Sequence, residues 1–246
     1  MSGTTELSFI RRYVFSTDHK VIGRQFLFTA LAFFTLGGTL AMLMRTQLAW
    51  PWQEIPVLGK LLYGNSGNIL APEAYPALVT MHGTIMIFFF IIPILSGAFG
   101  NFLIPLMIGA RDMAFPRLNL LSYWVMVPAF LVMLSSFFVA TGTAAAGWTS
   151  YVPLSALRDM IPGSEAGQTL WVISLMLVGT SSLMGAINYI TTIVMLRAPG
   201  MDMFRLPMTI WALFVTAILV TFATPVLTAA LILLLLWWFC GSLRLA

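Results

Sequence analysis

The stretch "YPALVTMHGTIMIFFFIIPILSGAFGN", Tyr75 to Asn101, carries one histidine, His82, in an otherwise apolar run. At about 1.5 Å of rise per residue, about 20 apolar residues cross a hydrocarbon core of roughly 30 Å. This run is long enough to do so. It lacks the period-2 alternation of a barrel strand, so its backbone hydrogen bonds must close within a helix. His82 is then a titratable imidazole at membrane depth, and the rest of the chain has to be read as its surroundings.

Four further stretches have the same character. The sequence predicts spanning helices over residues 25–45, 77–105, 118–140, 168–196 and 207–239, an all-α polytopic transmembrane bundle of about five helices. Composition agrees, with 60% hydrophobic and 8% charged residues and a mean hydropathy of +0.96, outside the range of soluble globular domains. Residues 1–24 read as an inner-side segment, 25–239 as one membrane domain and 240–246 as a tail. Arg11, Arg12, Lys20 and Arg24 are too dispersed for a secretory signal, so the N-terminus is expected to stay attached.

Lys and Arg positions predict the orientation. Arg11, Arg12, Lys20, Arg24, Arg111, Arg117, Arg197 and Arg205 fall on the N-terminal side, against Arg45, Lys60, Arg158 and Arg244 on the other. Eight against four places the N-terminus in the cytoplasm. The net charge of +4 follows from this topology and does not suggest a nucleic-acid partner. The single cysteine, Cys240, excludes an internal disulfide and a CxxC metal or haem motif.

Only two histidines are present. His19, in "STDHKVIG", reads as an interfacial residue before the first helix. His82 must find a partner, because an unpaired buried polar group costs several kcal/mol. Two partners suit it: a hydrogen bond to another helix, or a metal or haem iron bound through Nε2 while a neighbouring carbonyl or hydroxyl fixes the tautomer. Nineteen residues on, Asn101 closes the second helix. Asp112 follows in a loop, flanked by Arg111 and Arg117, and by itself reads as a solvated charge. In "GTSSLMGAINYITT", Ser182, Gly185 and Asn188 share a helical face, with Ser181 beside them. Small and hydroxyl residues in such a pattern more often pack helices than conduct anything.

The strings "STDHKVIG", "MHGTIMIFFFIIPILSGAFGNFLIPLMIGARDMAFPRLN", "GWTSYVPLS" and "GAINYITTIVMLRAPGMDMFRLPMTIWALF" together resemble subunit I of the haem–copper terminal oxidases of the cytochrome c oxidase type. They occur in that family's order from about Phe9 to Leu236. The resemblance implies that His82 is an axial ligand of the low-spin haem, that Arg45 in "LMRTQL" bonds the formyl group of haem A, and that Trp148 lies near the haem propionates. It implies that Asp112 is the mouth of a proton-uptake path lined by Asn101, Asn119, Ser122, Ser181, Ser182 and Asn188. The implied activity is reduction of oxygen to water with electrons from cytochrome c, coupled to proton pumping, in a bacterial inner membrane. Implied partners are the remaining helices of subunit I, other oxidase subunits, cytochrome c and the lipid bilayer.

The family's subunit I has twelve spanning helices, and the likeness covers five. Copper and the high-spin haem are expected in the parent protein, but their ligands lie on later helices, and this chain alone is expected to be inactive. After "TPVLTAALILLLL" the run "WWFCGSLRLA" departs from the family, as expected of a truncated or frame-shifted product, the alternative being a natural half that assembles with a second chain. A part of a quinol oxidase, an inactive membrane fragment and a five-helix b-type haem carrier or channel are the alternatives.

Overall fold

The computed structural model describes residues 9–51, 53–54, 74–139, 142–157 and 165–244, with side chains of the last six of these outside the description. Lys60 and Arg158 of the basic count, the side chains of Cys240 and Arg244, and most of the loop between Trp50 and Tyr75 fall outside it. The described residues include the helices α1 (Phe9–Tyr13), α2 (His19–Ala49), α3 (Tyr75–Ile108), α4 (Pro116–Phe138), α5 (Glu165–Met195) and α6 (Met208–Arg244), with a 3-10 turn at Met203–Arg205 before the last. Among the described residues there is no strand, and five helices, α2 to α6, are long and apolar enough to cross a membrane.

Most helix ends have a local cause. α2 begins at His19, six residues before the predicted start. The Asp18 carboxylate accepts the N–H groups of Lys20 (2.7 Å) and Val21 (3.3 Å), an N-cap lying in a stretch too charged for apolar counting to include. α3 runs past Asn101 and ends where Gly109 turns left-handed (φ 75°), a conformation glycine adopts without steric cost. It contains two π-helical stretches, Ile85–Ile91 and Pro93–Gly100. α4 opens on Pro116, whose missing N–H would be unpaired there in any case. α5 starts on Glu165, a carboxylate well placed for the helix dipole. α6 continues to Arg244, so residues 240–244 are helical.

The chain forms two compact units. The first comprises Met1–Thr29, Ile92–Met126 and Gly179–Pro225. Its core gathers Ile104, Ile108, Met113, Ala186, Tyr189 and Ile193 with Leu206 and Ile210. Close approach is possible at Gly97, where an added Cβ would fall 2.6 Å from the Phe26 ring. The second comprises Ala30–Ile91, Val127–Val178 and Val226–Ala246. There the Phe33 ring stacks on those of Phe89 and Phe130, which meet each other tilted, all at 4.6–5.3 Å, within the favourable range for ring pairs. Trp171 Nε1 donates to Thr84 Oγ1 at 2.9 Å, and Ser174 Oγ to the Ala129 carbonyl at 2.7 Å. These buried bonds tie α5 to α3 and α4.

Candidate functional site

In the second unit His82 is half-buried on α3, and its Nδ1 donates to the Gly37 carbonyl of α2 at 2.8 Å. A carbonyl only accepts, so Nδ1 carries the proton and the neutral ring's lone pair is on Nε2. Gly37 permits the approach, since a Cβ there would lie 2.7 Å from Met86 Sδ. Trp148 is carried beside the same turn. The Gly147 N–H donates to Thr80 Oγ1 at 2.9 Å, and the Trp148 indole packs against Gly83, where a Cβ would meet it at 3.2 Å. Arg45 is exposed on α2. It stands eight residues beyond Gly37, about 12 Å along the helix axis.

The first unit brings most of the other polar candidates together. Asn119 Nδ2 donates to Asn101 Oδ1 at 2.6 Å; Asn101 Nδ2 donates to the Gly97 carbonyl at 2.6 Å and to Tyr189 Oη at 3.1 Å. Ser181 Oγ donates to the Ser122 carbonyl at 2.7 Å. Asn101, Ser122, Ser181, Ser182 and Tyr189 line a cavity of about 30 Å³, more than the roughly 10–15 Å³ one water needs. Asn119 Oδ1 is buried without a hydrogen-bond partner among the described residues.

Asp112 and Asn188 are placed differently from this cluster. Asn188 Oδ1 accepts the Phe115 N–H at 2.9 Å, and Thr192 Oγ1 accepts that of Ala114 at 2.9 Å. The two therefore staple α5 to the loop following α3. In that loop Asp112 is half-buried, with its Oδ1 accepting the Met113 N–H at 2.7 Å. Asn188 does not line the cavity.

His19 corrects the sequence reading. It is 3% exposed, and Nδ1 donates to the Asn101 carbonyl at 2.8 Å, so it is a buried linker between α2 and α3. The reason is Pro105. A proline within a helix cannot donate to the carbonyl four residues earlier, here Asn101, and the imidazole takes the missing donor's place. His19→Ala would leave that carbonyl buried and unpaired. The expected cost is about 1–3 kcal/mol, read as a lowered thermal unfolding midpoint of the purified protein.

A family model described as Cytochrome C and Quinol oxidase polypeptide I matches residues 21–244. The chain belongs to this family. Cytochrome c oxidase subunit 1 of Synechocystis sp. is 48% identical over 222 residues, covering 90% of this chain and 36% of that protein. The subunit 1 of Thermostichus vulcanus is 46% identical over 223 residues, covering 91% and 37%. A putative subunit 1-beta of Streptomyces coelicolor is 47% identical over 223 residues, covering 91% and 36%. The chain thus spans about a third of the length of these relatives, as an N-terminal portion of oxidase subunit I. The family match extends beyond Leu236, where the motif likeness stops.

Three participants of this oxidase polypeptide escaped the motif reading. His19 reads in the sequence as interfacial, Thr192 carries no distinguishing pattern, and Tyr189 has one polar atom on an aromatic body. The signal available for His19 was the pairing of an N-terminal imidazole with a helix-breaking proline at Pro105. For Tyr189 it was Gly100, where a Cβ would lie 2.8 Å from the phenol ring.

Proposed function

We propose that this chain supplies half of a low-spin haem site and the proton entrance of a membrane-embedded terminal oxidase that reduces oxygen to water with electrons from cytochrome c. The observation that supports it best is the His82 Nδ1 bond to the Gly37 carbonyl. That bond holds the ring on α3 and fixes the tautomer, as an outer-shell acceptor does for a metal-bound histidine. His82 Nε2 would hold the iron, Trp148 would lie toward the propionates, and Arg45 would reach the formyl group of haem A. Bound there, the haem supplies a one-electron carrier.

The chain's other contribution is to protons. Asp112 is the uptake group, in a loop kept in place by Asn188 and Thr192. The cavity beside Asn101, Ser122, Ser181 and Ser182 has room for water, which hydroxyls and amides can orient for transfer. This combination supports a proton-pumping complex in the bacterial inner membrane, with the N-terminus and Asp112 on the cytoplasmic side. Copper, a high-spin haem and the second axial ligand would come from the remaining helices of subunit I, and other oxidase subunits would complete the assembly. Much of the apolar surface of α6, Phe222 and Val226 among it, is uncovered, as a helix facing lipid or further helices would be.

The family description names both cytochrome c and quinol oxidases, so the donor decides between two readings. The purified complex containing this chain should consume oxygen with reduced cytochrome c and acidify the side opposite Asp112. Turnover with a quinol alone would move the assignment to a quinol oxidase. Oxygen consumption with neither donor refutes the proposal. The isolated chain should consume none, because copper and a high-spin haem would need further ligands from the remaining helices, and His82 and His19 are its only histidines.

A further inference from the structure

We propose that Tyr189 is a positioning residue of the proton path, setting which way round the Asn101 amide stands; the inference rests on the path reading above. Tyr189 is buried on α5, and its hydroxyl donates to the Ser96 carbonyl at 2.5 Å. The single phenolic proton is thereby committed. What the hydroxyl offers Asn101 is a lone pair, and Asn101 Nδ2 lies 3.1 Å away.

The other Nδ2 hydrogen goes to the Gly97 carbonyl at 2.6 Å, so both amide N–H groups face acceptors that have no proton to return. With the amide reversed, Asn101 Oδ1 would meet a carbonyl and an oxygen whose hydrogen is already used. The network therefore fixes the assignment of O and N that an amide's shape leaves open. Oδ1 is left facing Asn119, whose Nδ2 donates to it at 2.6 Å.

A directed chain results. Ser96 accepts from Tyr189, Tyr189 from Asn101, and Asn101 from Asn119. Asn119 Oδ1 is left as the buried acceptor without a partner among the described residues. Tyr189 and Asn101 stand together on the wall of the 30 Å³ cavity. The hydroxyl comes this close because residue 100 is glycine: a Cβ there would be 2.9 Å from Oη.

Tyr189→Phe keeps the ring and removes one of the two acceptors that discriminate against the reversed amide, leaving the Gly97 carbonyl. In the assembled oxidase we expect proton uptake about fivefold slower with haem content unchanged, which is about 1 kcal/mol at 1.36 kcal/mol per tenfold. Acting through Asn101, the substitution should cause no further slowing in an Asn101→Ala background. Unchanged uptake in Tyr189→Phe overturns the proposal, and so does a double variant slowed by the product of the two single effects. Asp112→Asn separates the two levels. If it slows uptake and Tyr189→Phe does not, the path stands and the Tyr189 role falls. If Asp112→Asn leaves uptake unchanged, the path reading fails and takes the Tyr189 proposal with it.

Discussion

His82→Ala in the assembled oxidase is expected to abolish the low-spin haem absorption, and oxygen consumption with it. The imidazole's contribution to the fold is one hydrogen bond to the Gly37 carbonyl, an interaction of about 1 kcal/mol net. Its proposed contribution as an axial ligand has no substitute: the only other histidine of the sequence is His19, which belongs to the other unit. A small loss of stability and a complete loss of one chromophore are thus expected from the same change. His82→Asn refines the test, since an amide can still donate to a carbonyl but offers no ring nitrogen to iron. The optical difference spectrum of dithionite-reduced protein reads both variants. A low-spin signal surviving in either would mean that His82 is an interhelical hydrogen-bonding residue and nothing more.

The spanning helices were legible because apolar length is a local property, and the structure contains all five. Their ends were less so. The start of α2 depends on Asp18, a single carboxylate among charged neighbours, and the end of α3 on the φ of Gly109. His82 stood out because an imidazole in an apolar run has to be explained. His19 did not, since what buries it is an N–H missing at Pro105, 86 positions away. Asn188 shows a third kind of limit. Its partners are the backbone of a loop more than 70 residues earlier, and spacing within one helix carries no information about them. Residue type and period reveal which positions are unusual; which of them meet is decided by packing between helices.

Asp112→Asn separates charge from shape and is expected to slow proton uptake by about 100-fold, the lower end of what a positioned proton-transfer group contributes. The loop should hold. Asp112 Oδ1 accepts the Met113 N–H at 2.7 Å, which the asparagine carbonyl can also do, and the neighbouring backbone is fastened independently by Asn188 and Thr192. The cavity wall of Asn101, Ser122 and Ser181 contains none of the atoms changed. Haem content and spectrum should therefore match the unmodified enzyme while single-turnover uptake, followed with a pH indicator on the Asp112 side, becomes slow. If uptake stays fast, Asp112 is the solvated loop charge that its arginine neighbours suggest. If uptake slows and haem is also lost, the substitution has damaged the fold, and the division of labour between a haem-binding unit and a proton-bearing one is wrong.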